Sequence, residues 1–187
     1  MTNEAGQAID KGLIPFDRGY VQVYTGDGKG KTTAAIGLAV RAAGAGLRVY
    51  FAQFIKQCRY NEIRALEVFG DRIVCRQYGR GCWLRGEPVA EDIRLARQGL
   101  DDVQSIIRSG EYELVILDEA NVAVWFGLFT VEDLLNLIDI KPERVELVFT
   151  GRRADPRLIE RADLVTDMCE VKHYYRQGVL GRDGIEG

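Results

Sequence analysis

Residues 20–33, YVQVYTGDGKGKTT, carry the residue types and spacing with the clearest chemistry in the chain. Apolar Val21, Val23 and Tyr24 feed a glycine-rich loop that closes on Gly30-Lys31-Thr32-Thr33 and opens into AAIGLAVRAA, an apolar helix pattern. Strand, loop and helix in that order is what a phosphate-binding loop requires. Gly26, Gly28 and Gly30 let backbone N–H groups converge on an anion, and the helix N-terminus adds its positive dipole end. Lys31 would reach the phosphates, and the Thr32 hydroxyl would serve Mg²⁺. The general pattern G-x-x-x-x-G-K-[ST] places its first glycine where this chain has Thr25. Gly26 follows one place later, and Lys29 adds a second lysine. The loop predicts a protein that handles a nucleoside triphosphate and leaves open which bond is broken.

Two further strand ends bear charge. Asp118 and Glu119 follow the apolar run LVIL, as the second acidic element of such a nucleotide site would. One carboxylate can hold Mg²⁺ directly or through water, and the other can orient water or a nucleophile. Arg152 closes the segment FTGR, where a guanidinium fork can neutralise polyphosphate. Arg41 lies ten residues beyond Lys31 on the same expected helix. His173, the chain's one histidine, stands alone and is expected to be structural or solvated. The four cysteines contain no C-x-x-C pair, and free thiols in a cytoplasmic protein are the expectation.

These residues need a frame. Strand and helix patterns alternate along the chain: strands at 47–55, 72–78, 113–121, 146–152 and 163–168, and helices at 60–69, 91–109, 131–139 and 156–162. Thr130 with Asp133 forms a capping-box pattern. Residues 79–90 read as an irregular loop, and residues 1–19 as a polar mobile arm before one domain over 20–187. Alternation of this kind predicts an α/β domain with a mainly parallel sheet, and ligands then bind beyond the carboxyl ends of the strands. A net charge of −3 argues against a broad nucleic-acid surface. No apolar run approaches the roughly 18 residues of a membrane span, and the first residues carry no signal-peptide core.

The ordered segments VYTGDGKGKTTAAIGLAVRAAGAG, VYFAQFIK, VILDEAN, FTGR and EVKHYYRQGVLGRDGIEG resemble the ATP:corrinoid adenosyltransferases from about residue 20 to the C-terminus. The resemblance implies a RecA-like P-loop NTPase fold in three layers. It also implies transfer of the 5′-deoxyadenosyl group of ATP to cobalt(I) of a reduced corrinoid, with release of triphosphate. In that family the loop holds the polyphosphate in the opposite sense to ordinary NTPases, which brings C5′ to the reacting partner. By position Thr25, Gly26, Asp27, Gly28, Lys29, Gly30, Lys31, Thr32 and Thr33 would hold phosphate, with Arg41 and Arg152 as further contacts. Thr32, Glu119 and Asp118 would serve Mg²⁺ or Mn²⁺. Lys31, Glu119 and Arg152 would carry the catalytic load. A homodimer, a flavodoxin or other flavoprotein as reductant and a cytoplasmic setting are also implied.

On the corrin side the chain departs from the family pattern Gly-x-Gly-Phe-Thr-Trp. It has Gly79-Arg80-Gly81-Cys82-Trp83, shorter by one residue and without that Phe. Tyr78 and Trp83 are therefore the expected aromatic contacts to the corrin, with Phe54 and Trp125 next in line. Two other readings stay open at this point. A conventional P-loop ATPase or small-molecule kinase would release ADP in place of triphosphate, and a corrinoid carrier would tolerate loss of Lys31.

Overall fold

The structure is a computed structural model that describes residues 16–58, 60–81 and 86–186. The expected mobile arm lies outside these residues up to position 15. Residues 16–19, assigned to the same arm, are tied down. Gly19 N–H donates to the Glu143 carbonyl, Lys141 Nζ donates to the Gly19 carbonyl, and Arg144 donates to the Phe16 carbonyl.

Six strands are described: β1 (Val21–Thr25), β2 (Val49–Lys56), β3 (Ile73–Gly81), β4 (Leu114–Asp118), β5 (Glu146–Thr150) and β6 (Leu164–Asp167). They form one sheet in the order β3-β2-β4-β5-β1-β6, and every neighbouring pair is parallel. The helices are α1 (Lys31–Gly44), α2 (Asn61–Leu66), α3 (Ala90–Ser109), α4 (Ala120–Trp125), α5 (Val131–Asp139) and α6 (Pro156–Arg161). α1 and α2 cover one face, where Ala35, Ala39, Ala42 and Leu66 pack on Phe51, Ile116 and Val148. The other four cover the opposite face, where Ala96, Val103, Ala123, Leu134 and Leu158 meet Phe54, Val115, Leu117 and Phe149. This is the three-layer α/β arrangement expected of a parallel sheet buried on both sides.

Local chemistry accounts for most of these boundaries. Thr130 caps α5 as its pattern predicts: its hydroxyl accepts from Asp133 N–H, and the Asp133 carboxylate accepts from Thr130 N–H. Asp155 caps α6, whose first residue is Pro156. Three elements differ from expectation. β3 continues to Gly81, so Gly79 and Arg80 belong to a strand. Residues 67–72 form a 3₁₀ turn where helix was expected. β4 ends at Asp118 and a helix, α4, begins at Ala120, where the strand was expected to run on to residue 121. Cys75 and Cys169 are free thiols, whereas Cys58 is disulfide-bonded, against the expectation of free thiols throughout. Among the described residues no helix is long and apolar enough to cross a membrane.

Candidate active site

The carboxyl ends of β1, β2, β4 and β5 open into one cleft of about 1090 Å³. Its floor is the loop 28–33. α1 begins at Lys31 with Gly30 at its N-cap, at a φ of 120°; no side chain caps the helix start and no acidic residue sits in its first turn. The first N–H groups of α1 are therefore left to an anion. Gly28 has a second reason to be glycine. A Cβ there would lie 2.5 Å from the Met168 carbonyl oxygen, which accepts a 2.6 Å bond from Gly28 N–H. The chain leaving the edge strand β6 thus lies directly against the phosphate loop.

Lys31 is buried, and its ammonium donates to the Gly26 and Gly28 carbonyls at 2.7 and 2.6 Å. Burial lowers its pKa, and the nearby Arg152 pushes the same way. Thr32 Oγ1 donates to Asp118 Oδ1 at 2.8 Å. Asp118 is fully buried and also accepts from Thr150 Oγ1 and from Gln53 Nε2. Three donors fix its carboxylate, and through it the Thr32 hydroxyl is aimed. Glu119 follows with a φ of 60°, so the chain turns sharply at the strand end and lifts this carboxylate into the cleft. Burial raises the Glu119 pKa, and Asp118 adds to the rise against the opposing pull of Lys56.

The site residues read from the sequence divide into those the fold brings together and those it does not. Gly28 to Thr33, Glu119 and Arg152 line one cleft, and Asp118 lies beneath it, tied to Thr32. Thr25, Gly26 and Asp27 border a smaller recess beside it, where Thr25 Oγ1 accepts from Ala154 N–H. Lys29 lies at the cleft but points to the C-terminal segment, donating to Glu186, the Ile185 carbonyl and Tyr174. Arg41 stands exposed near the end of α1, outside the cleft lining and near Tyr24. Trp83 lies outside the described residues.

Tyr78 is corrected outright. Strand alternation turns its ring into the core beneath α3, 5.6 Å from the Phe54 ring. Its hydroxyl donates to Asp102 and bonds to the Tyr50 hydroxyl. At 6% exposure it presents no face to a macrocycle. Phe54, fully buried, is excluded for the same reason.

The fold also adds Lys56 and Phe126, which spacing did not single out, and brings Trp125, the reserve aromatic, to the cleft. Lys56 ends β2, lines the cleft and lies 3.4 Å from Glu119 Oε1. Burial works against its charge, but the Asp118 and Glu119 carboxylates outweigh it and raise its pKa. Trp125 and Phe126 at the end of α4 supply an apolar wall, with the Arg153 guanidinium 4.1 Å from the Trp125 ring centre. Every non-glycine residue with positive φ among those described, namely Ile55, Glu119 and Arg153, lines this cleft. Such conformations cost about 1–3 kcal/mol each and collect at sites of function.

Against this geometry the sequence comparisons are decisive. The profile of the family described as ATP:corrinoid adenosyltransferase BtuR/CobO/CobP matches residues 17–187. The chain belongs to the ATP:corrinoid adenosyltransferases. A corrinoid adenosyltransferase of Sinorhizobium is 35% identical over 175 residues, covering 91% of this chain and 81% of that protein. One from Pseudomonas aeruginosa is 33% identical over 171 residues, covering 91% and 84%. Corrinoid adenosyltransferase CobA of Salmonella typhimurium is 30% identical over 171 residues, covering 91% and 86%. As an adenosyltransferase of this family, the chain takes ATP and a corrinoid as substrates, and the kinase and ATPase readings have no support.

Proposed function

We propose that the cleft holds ATP with its triphosphate on the loop 28–33 and its C5′ directed away from the loop, toward a reduced corrinoid. Cobalt(I) attacks C5′ with its electron pair. The cobalt–carbon bond forms, the C5′–O5′ bond breaks, and that bond's electrons leave on the triphosphate. Such a displacement asks the protein for position and for neutralisation of the leaving group, with no side-chain nucleophile or base. Lys31, the α1 N-terminus and Arg152 supply the neutralisation. The convergence of these groups on one large cleft carries the reading. At about 1090 Å³ it exceeds a typical single-ligand pocket of roughly 300–1,000 Å³.

The Thr32 hydroxyl and the Asp118 and Glu119 carboxylates are hard oxygen donors suited to Mg²⁺ or Mn²⁺. The described residues contain no group of three or more His, Cys, Asp or Glu side chains that could hold a metal. The ion would therefore be held jointly by Thr32, Glu119 and nucleotide phosphates, with Asp118 orienting Thr32. Such an ion spreads the charge of the triphosphate. The family resemblance further supports a homodimer, a flavoprotein reductant and a cytoplasmic setting. Incubation with ATP, Mg²⁺ and chemically reduced corrinoid tests the reading. The expected products are an adenosylated corrinoid, seen by absorbance, and inorganic triphosphate; release of ADP in its place overturns it.

A further inference from the structure

Lys56 reaches the cleft only because its strand breaks pattern. Along β2, Tyr50, Ala52 and Phe54 face the core beneath α3, and residue 56 would follow them by alternation. The ladder with β3 instead shifts register between Phe54 and Lys56. Ile55, between them, has a φ of 70°, a conformation that β-branched residues rarely adopt. This irregularity turns Lys56 toward Glu119. It also needs room: a Cβ on Gly79 would lie 2.5 Å from the Ile55 carbonyl carbon and 2.6 Å from Lys56 N. A strained backbone and a glycine on the neighbouring strand thus combine to aim one buried ammonium.

Its place in the cleft gives that ammonium a task. The phosphate loop follows β1, whereas Lys56 ends β2, with β5 and β4 between them in the sheet. On its other side Lys56 is paired with Gly81, the last described residue of β3, and Gln57 N–H donates to the Gly81 carbonyl. Lys56 therefore stands between the triphosphate seat and the segment that departs from the family's corrin-side pattern. On the adenosyl-transfer reading, the C5′–O5′ bond that breaks falls at that junction, between the triphosphate on the loop 28–33 and the corrinoid. We propose that Lys56 is a catalytic residue that donates to O5′ as it leaves with the bonding electron pair. Glu119 holds the ammonium in place until the nucleotide arrives. The inference rests on the adenosyl-transfer reading above.

The charge on O5′ is absent from ATP and present in the product triphosphate, so the two ligands separate this role from general phosphate binding. Lys56→Met should lower kcat about 10²–10³-fold, the loss seen when one donor to a developing oxyanion is removed. KM for ATP should change less than about threefold, and Lys56→Arg should restore part of kcat. Calorimetric binding should show inorganic triphosphate weakened at least tenfold by Lys56→Met, with ATP held within about threefold. Equal weakening of both ligands, or of neither, overturns the assignment, as does a kcat within threefold of the parent. Circular dichroism and the retained ATP affinity show that the variant is folded. Failure of the parent protein itself to form adenosylated corrinoid would instead overturn the transfer reading.

Discussion

The two ends of the cleft are built in different ways. At the phosphate end, one contiguous stretch supplies strand, loop, lysine and helix start, and on the proposed reading backbone N–H groups would meet the anion. At the β2–β3 end, the key cation comes from a strand terminus and is aimed by a left-handed Ile55. It is admitted by Gly79 from another strand and held by Glu119 from a third. The first end is built from one run of chain, whereas the second depends on residues far apart in sequence, Ile55, Gly79 and Glu119, packed against one another.

Mutations can test that contrast, and at the phosphate end substrate binding and turnover should fall together, unlike the kcat-selective loss expected of Lys56→Met. Lys31→Ala removes a buried cation able to make at least two charge-assisted contacts of roughly 1.5–3 kcal/mol each. ATP binding and turnover should both fall about 100-fold or more, read by calorimetry and initial rates. Turnover unchanged in a folded variant would remove the loop from the mechanism.

Next comes Glu119→Gln. Transfer should slow about tenfold or more, as expected when a charge-assisted contact of roughly 1.5–3 kcal/mol is lost, and the Mg²⁺ concentration for half-maximal rate should rise. Because burial and Asp118 hold the Glu119 pKa above its ordinary 4.5, the parent should lose activity on acidification at a pH above that value. The variant should lack that acid limb. A rate–pH curve identical to the parent's would show that Glu119 does not titrate in the working enzyme.

Gly79→Ala tests the β2–β3 end through packing alone. The added methyl would press on Ile55 and Lys56, and overpacking of this kind costs about 1–3 kcal/mol. Denaturant melts should report that loss, and kcat should fall while ATP affinity persists. If kcat survives the substitution, the aim of Lys56 does not depend on the bulge.

The smallest effect is reserved for Tyr78→Phe. Removing the hydroxyl leaves Tyr50 and Asp102 short of a partner, a loss of about 1–3 kcal/mol in stability, with turnover within twofold. The Tyr78 pKa is raised above 10.0, by burial first and then by Tyr50 and Asp102. The folded state therefore binds this proton more tightly than the unfolded chain. Its contribution is complete below pH 10 and is lost as pH rises above it. Tyr78→Phe should flatten that alkaline decline in thermal melts. A selective loss of corrinoid turnover would return the ring to the substrate.

The sequence by itself determined whatever is local. Periodicity marked the parallel α/β frame, and the glycine-rich spacing before Lys31 marked a loop at the end of β1 whose residues 28–33 line the cleft, since that loop is one run of chain. The LDE and TGR segments were legible because charge at the end of an apolar strand has few other uses. Facing was decided only in three dimensions. Tyr78, at the end of the expected strand and beside the irregular loop, reads as a corrin contact but lies in the core, because alternation along β3 turns its ring inward beneath α3. α4 was hidden because ANVAVW continues the apolar run of β4, and the change of direction rests on the single φ of Glu119. Lys56 was invisible as a site residue because nothing in the order Phe-Ile-Lys announces a left-handed isoleucine. That conformation is sustained by the β3 strand, whose glycine leaves space for it.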